Sequence, residues 1–534
     1  MSLLITNAKI YVERDNFAQA LLVGDDGRIV AVGTQEDVKA QAPSDCEVFD
    51  AMGRTIVPGF NDSHQHLMNT GIALAAVRLL GATSIAEVIQ RARDYLAEHE
   101  IPAGELIHGM GWNQDYFTDE HRLLTRHDLD KISTEHPIIF DRACGHILVC
   151  NTKALEMAGV TTATVPNAGG AIDIENGELT GIFRENARAQ VRCIMASRSV
   201  GAKKRLIREA MTHAAETGVT SVQTCDLRLG DWETTLQAFN EVLDETPNLR
   251  VYHQFSFMDP DHFQAFLDKG YRTGMGTDFN KFGPLKLFVD GSLGARTALM
   301  RQPYHDAPET KGIATLTNDQ IDTLVGMAVK NDCSVAIHAI GDGAIENVLN
   351  AYDKVCSNGE NPLRLGIVHL QITDRPLLER FTKNGILAYV QPIFLHYDTA
   401  IVEDRVGADL AATSYAFKSL IDMNVHTSFG TDSPIEDMNP IDNIYCAVTR
   451  QNLRGEPVGG FHPEERVDMA QAIDCYTAES AYCSFEEGFK GRLKPGFVAD
   501  LVVLSQDLFS IAHDQILQTK VERTMVNGRW VYVR

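Results

Sequence analysis

No stretch of this 534-residue chain approaches the roughly 20 consecutive apolar residues that a membrane-spanning helix requires, so the reading is of a soluble protein. It also lacks any run of Lys or Arg. With 48 basic against 72 acidic residues the formal net charge is -24, a balance that repels nucleic acid and acidic membrane surfaces and leaves a small molecule as the expected partner. Its ten cysteines contain no C-x-x-C pair, and the amino terminus turns polar at Thr6-Asn7 before a signal peptide's apolar segment can form. A reduced, cytoplasmic compartment is the expectation. Internal repeats and low-complexity segments are absent as well.

What is present falls into two grammars. Short β-rich runs separated by turn residues occupy 1–57, such as Ala20-Leu21-Leu22-Val23 before Gly24-Asp25-Asp26-Gly27, and recur in 490–534, where Asn527-Gly528 marks a tight turn. The two ends are expected to form one small β-sandwich domain. Between them, over 58–489, apolar strands alternate with helical stretches, as in a parallel sheet covered by helices. Eight strands are predicted: Ile56 to His66, Val219 to Thr224, Arg250 to Phe257, Leu285 to Asp290, Ser334 to Ala339, Gly366 to Leu370, Ile386 to Gln391 and Val425 to Thr431. That number predicts a closed (β/α)8 TIM barrel. About 150 residues separate the first strand from the second, far more than one helix and a loop need. Residues 70–205 are therefore read as an insertion.

Six residues with metal-binding or acid–base chemistry sit at the ends of these strands: His64, His66, Lys286, His338, His369 and Asp432. His64 and His66 are two apart, so a strand puts both imidazoles on one face. An H-x-H pair alone is more often structural than not, and any one strand-end histidine is more often a core residue. Lys286 is flanked by Leu285 and Leu287, so it must point into the barrel, where an ammonium is costly unless paired or chemically changed. An ion pair with Asp290 or Asp432 is one solution; a carbamate formed from the neutral amine, bridging two metals, is the other. All six positions fall on the face that carries the chemistry of such barrels.

Taken together with Pro58-Gly59-Phe60, the block from Leu285 to Gly294, Gly430-Thr431-Asp432-Ser433-Pro434 and the closing run from Gly491 to Leu504, these residues resemble the metal-dependent amidohydrolase superfamily. The group that contains N-substituted formamide deformylase is the one most resembled, over nearly the whole length. The resemblance implies a barrel flanked by a small β domain from both termini, with metals held by His64, His66, Lys286, His338, His369 and Asp432. Three features look like that group's inserted region: Gly111-Trp112, Gly145-His146 and the segment Gly181 to Glu185. Trp112, His146 and Glu185 are accordingly candidates for substrate contact, with core packing and a surface ion pair as the plain alternatives for Trp112 and Glu185.

The expected reaction is hydrolysis of a non-peptide carbon–nitrogen bond, in an amide or an N-formyl or N-acyl amine, by a metal-activated hydroxide. Two divalent ions, most simply zinc, would lower the pKa of a bridging water and polarise the carbonyl. Carboxylated Lys286 would lie between them, a mononuclear site being the alternative, and Asp432 would shuttle the proton to the leaving nitrogen. Heterocycle deamination is the nearest competitor. Deaminases of this scaffold resemble one another in a Glu three residues after the fifth-strand histidine; here that position is Gly341, followed by Asp342. Hydrolysis of a cyclic amide or lactone could use the same ligands. A metal-free binding subunit is disfavoured by the complete ligand set, and a homodimer is the default assembly.

Overall fold

The computed structural model describes residues 2–99, 101–142, 147–167, 170–195, 198–356 and 359–534. By its contacts the chain divides into two compact units, Met1–Asn69 with Ala210–Arg534, and Thr70–Glu209.

The larger unit holds an eight-stranded parallel sheet: β1 (Phe60–Gln65), β2 (Val219–Arg228), β3 (Arg250–Ser256), β4 (Asn280–Phe288), β5 (Val335–Ala339), β6 (Gly366–His369), β7 (Leu387–Val390) and β8 (Thr427–Phe429), each hydrogen-bonded to the next. Seven of the eight are wholly buried or nearly so, as strands covered on both faces must be. β1 and β8 share no ladder. The seam between them is closed just past the strand ends, where Asp432 N donates to His64 O (2.8 Å) and His66 N to Ser433 O (2.8 Å). The sheet is thus a nearly closed barrel.

The crossover helices follow their sequence signals. Arg375–Asn384 starts at Asp374, whose side chain accepts from Leu377 N, and stops at Gly385 with φ 60, the left-handed residue that ends many helices. It buries Leu377, Leu378 and Phe381 and delivers the chain into β7.

Two further sheets are built from the chain ends. One orders Ile29–Gly33, Ala20–Val23, Leu3–Thr6 and Glu47–Asp50; the other orders Arg529–Val533, Val521–Val526, Leu501–Leu504, Thr55–Pro58, Lys9–Glu13 and Asn16–Ala18. Leu21, Val23, Ile56, Leu501 and Met525, from both sheets, share one apolar cluster. Asn527 and Gly528 have φ of 50° and 77°, the pair of positive angles that a type I′ hairpin turn needs. The expected single strand from Ile56 to His66 is in fact two. Thr55–Pro58 belongs to the terminal sheet and pairs with Leu501–Leu504, whereas Phe60 onward pairs with Val219 in the barrel. The switch falls at Gly59, where a Cβ would lie 2.2 Å from Thr220 Oγ1.

Thr70–Glu209 has its own six-stranded mixed sheet, ordered Gly170–Glu175, Glu178–Glu185, Ile147–Cys150, Ile138–Arg142, Ile107–Trp112 and Val77–Arg78. Its faces alternate with period two. Ile138, Phe140, Val149 and Ile182 pack on one side with Trp112, while Ile139, Leu148, Cys150 and Phe183 pack on the other.

Candidate metal centre

His64 is the penultimate residue of β1, His66 lies just past its end, and the segment after β8 brings Asp432 against both. Asp432 Oδ1 lies 3.2 Å from His66 Nε2 and 3.5 Å from His64 Nε2. The three form the group, among the described residues, whose ligand atoms converge closely enough to grip one ion. His64 is 1 %, Asp432 8 % and His66 9 % exposed. Asp432 and His369 both hold the left-handed φ region, at 58° and 76°, which is uncommon for residues with a side chain and clusters at functional sites.

The neighbours decide which imidazole nitrogen stays open. His64 Nδ1 faces Gln254 Oε1 (2.8 Å) and His369 Nδ1 faces Gln391 Oε1 (2.8 Å). Each glutamine's own Nε2 is committed to a backbone carbonyl, of Ser63 and of Tyr389, so each presents oxygen to the ring. Both histidines must then carry the proton on Nδ1, leaving the Nε2 lone pair free. His64 Nε2 is buried without a hydrogen-bond partner, and Asp432 Oδ1, which faces it at 3.5 Å, has only its ion pair with His66. His66 Nδ1 meets Cys225 O at 3.1 Å, with the Arg228 guanidinium 3.0 Å from the same nitrogen.

His338 differs. Its Nε2 lies 3.0 Å from Gly291 O and 3.2 Å from Asp290 Oδ1, so its proton belongs on Nε2 and the open nitrogen is Nδ1. Ring centroids step from His66 to His64 (5.4 Å), from His64 to His369 (5.4 Å) and from His369 to His338 (4.5 Å). Lys286 is wholly buried between Leu285 and Leu287. Its Nζ reaches Leu287 O at 3.5 Å and stands 3.9 Å from the Phe288 ring centroid. The ion pair with Asp290 entertained from sequence is not formed, because Asp290 is spent on the backbone N–H groups of Leu299, Ile340 and Gly341.

Burial sets the charge states. It pulls the Lys286 amine down to about 8 and His64 and His369 well below the usual imidazole range. For His66 burial is outweighed by the Asp432 carboxylate, which raises it to about 10. Asp432 is itself held far below the ordinary carboxylate range, the surrounding histidines overcoming its burial.

Of the other sequence candidates, Trp112 is 0 % exposed in the core of the Thr70–Glu209 unit, its Nε1 donating to Phe140 O (3.3 Å); packing accounts for its whole surface. Glu185 is exposed at the end of a strand with φ 48°. His146 lies outside the described residues. Sequence reasoning missed Gln254, Gln391 and Asp62. Gln391 carried a signal, an amide just past the apolar strand Leu387–Val390, whereas Gln254 sits among Arg250, His253 and Ser256 and did not stand out. Asp62 accepts from Thr431 N and Oγ1 and from His64 N, a role visible only once β1 and β8 are adjacent.

Comparison with known proteins bears on this site. The model of the "Amidohydrolase family" matches residues 47–532. The Bacillus subtilis protein YtcJ, which carries the name of an amidohydrolase, is 32 % identical over 98 % of this chain and 97 % of its own. N-substituted formamide deformylase of Arthrobacter pascens is 27 % identical over 100 % and 98 %. Among solved structures, an uncharacterized metal-dependent hydrolase of Pyrococcus furiosus superposes with a TM-score of 0.81 at 29 % identity, covering 96 % of this chain and 100 % of the other.

Proposed function

The chain belongs to the amidohydrolase family, and from that premise we propose that it is a metal-dependent hydrolase of amide-type carbon–nitrogen bonds, with N-formyl and N-acyl amines as its substrate class. The observation that carries the reading is the open, buried lone pair on His64 Nε2, which converges with Asp432 Oδ1 and His66 Nε2 closely enough to grip one ion. A buried acceptor without a donor is costly, and a cation would satisfy the His64 nitrogen and the Asp432 oxygen that faces it. His64, His66 and Asp432 would hold one ion; His369 through Nε2, His338 through Nδ1 and Lys286 would hold a second. A divalent ion such as zinc supplies Lewis acidity there, bringing the pKa of a water toward neutrality and polarising the carbonyl. Lys286 fits a ligand role as its carbamate: the neutral amine favoured by burial adds carbon dioxide and releases one proton. Asp432 takes the proton of the attacking water and passes it to the leaving nitrogen, giving acid and amine.

Two further observations favour amide hydrolysis over deamination. A Cβ at Gly341 would fall 2.1 Å from Leu299 O, so no acidic side chain fits where the deaminases place their Glu. Asp342 is tied to Arg301, accepting from its backbone N (2.9 Å) and its Nε (2.7 Å). The similarity to the formamide deformylase supports the N-formyl class.

The test is metal content per chain, by plasma mass spectrometry, on protein grown with zinc and bicarbonate, beside Lys286→Ala and Asp432→Asn. Two ions in the parent, one or none in Lys286→Ala, and an Asp432→Asn protein that binds metal but no longer turns over N-formyl amines are expected. One ion in both parent and Lys286→Ala would reduce the lysine to a charge-balancing role, and a fully active Asp432→Asn would remove the proton shuttle.

A further inference from the structure

Arg228 is the exposed last residue of β2, at the mouth of the barrel. Its guanidinium meets the candidate metal centre from two directions. Nε donates to Cys225 O (3.1 Å), and Nη2 lies 3.0 Å from His66 Nδ1. The Phe288 ring, which ends β4, stands 5.9 Å from the same guanidinium, 3.9 Å from Lys286 Nζ and 5.5 Å from the His338 ring. One side chain, His66 or Phe288, separates this cation from either half of the ligand set.

His66 Nδ1 cannot serve both of its neighbours: it accepts from Arg228 or donates to Cys225 O. An ion held by Nε2 leaves the ring proton on Nδ1, and Cys225 O is the acceptor in reach. Nη2 of Arg228 then faces a donor and has to find its acceptor elsewhere. Arg250, Arg296 and Arg301 each hold an aspartate, whereas among the described residues no carboxylate lies within ion-pair distance of Arg228. Asp226, two residues away, is committed to Met68 N (3.0 Å) and Thr224 Oγ1 (2.6 Å). Nη1 makes no hydrogen bond among the described residues either, so both terminal nitrogens are open to a ligand on the exposed side.

A planar guanidinium with both terminal nitrogens open matches a carboxylate, which it grips through two parallel hydrogen bonds. The net charge of -24 opposes a more highly charged anion such as a phosphate ester. The partly exposed Phe288 ring beside it offers apolar surface to the carbons that join carboxylate and amide. We propose that Arg228 is the specificity residue of the site and binds a carboxylate on the substrate, so that N-formyl and N-acyl amino acids, or hemiamides of dicarboxylic acids, are preferred to neutral amides. The inference deepens the hydrolase reading and rests on it for the scissile bond, but not for the anion site.

The test compares, on the holoenzyme, N-formyl ω-amino acids of one to five methylenes with N-formyl n-alkylamines of equal length, and N-succinyl with N-butanoyl butylamine. We expect kcat/KM about tenfold or more higher for a carboxylate at its best position, the worth of one charged hydrogen bond, carried mainly by KM. In Arg228→Leu, compared at equal metal content, that ratio should fall to near one, with Arg228→Lys between the two. Equal turnover of charged and neutral substrates in the parent, or a preference that survives Arg228→Leu, overturns the assignment. Should no amide be hydrolysed, calorimetric titration of the holoprotein with n-alkyl carboxylates still decides. Saturable binding weakened about tenfold or more by Arg228→Leu upholds the anion site while the hydrolase reading fails. Binding that is absent, or indifferent to the substitution because the metal alone holds the carboxylate, overturns it. Thermal unfolding verifies each variant's fold, and Arg228→Gln serves if Arg228→Leu does not fold.

Discussion

A histidine is prepared for a metal when its other nitrogen is committed elsewhere, and Gln254 and Gln391 do this for His64 and His369. Removing such an orienting partner typically costs about 10- to 100-fold in metal affinity. Gln254→Leu should therefore bind its first ion that much more weakly in a chelator competition, with the His64 ring free to adopt the wrong tautomer; affinity unchanged within twofold would show that packing alone fixes the ring. Protons compete for the same atoms. In metal-free protein His66 is raised from its ordinary value of 6.5 to about 10 by Asp432, so the folded state holds an extra proton between those pH values. By linkage, its stabilising contribution is complete below about pH 6.5 and is lost as pH rises through 10. Metal affinity should move oppositely, increasing up to tenfold per pH unit across that window with about one proton released per ion. Indicator titration in weak buffer reads the proton directly, and a pH-independent affinity would show that His66 is neutral in the metal-free state.

At the scale of elements, the site depends on a seam. β1 and β8 lack a ladder, and the Asp62 carboxylate, 0 % exposed, takes both donors of Thr431 while the chain from His64 to Ser433 is cross-bonded above it. Asp62→Ala would leave the buried amides of His64 and Thr431 and the Thr431 hydroxyl without their acceptor, a loss of at least about 3 kcal/mol by the usual penalties for such groups. Urea unfolding should show it, accompanied by weaker metal binding, since His64 and Asp432 sit on opposite sides of the seam. A variant as stable as the parent would mean the backbone bonds alone hold the barrel shut. This seam also marks where sequence reading stops. The barrel strands were legible because most are apolar runs bounded by turn residues, and the positions of His64, His66, Lys286, His338, His369 and Asp432 at or near strand ends followed from them. The break at Gly59 was not legible: Thr55–Pro58 and Phe60–Gln65 are nearly contiguous and both wholly buried, and only their partners, Leu501–Leu504 and Val219–Thr224, distinguish them. Nor could sequence foresee that Asp290 would be consumed by backbone amides, leaving Lys286 without the ion pair it offered.

The whole molecule divides into units with separate cores, and the candidate ligands all lie in one of them. Thr70–Glu209 buries its own two clusters, one on each face of its sheet, while His64, His66, Lys286, His338, His369 and Asp432 belong to the other unit. An ion that binds only the native state stabilises it by mass action, about 4 kcal/mol when present at a thousandfold excess over its Kd. For a unit as large as Met1–Asn69 with Ala210–Arg534, each kcal/mol is worth only about 1 °C in midpoint. Stripping the metal should therefore lower the barrel's thermal transition by about 5 °C and, if the units unfold separately, leave a second transition where it was. Scanning calorimetry of the holoprotein and of chelator-treated protein restored with zinc makes the comparison reversible. Two transitions shifting together would show that the units unfold as one cooperative body, and a barrel transition insensitive to metal would mean that the open lone pair of His64 is satisfied by something other than an ion.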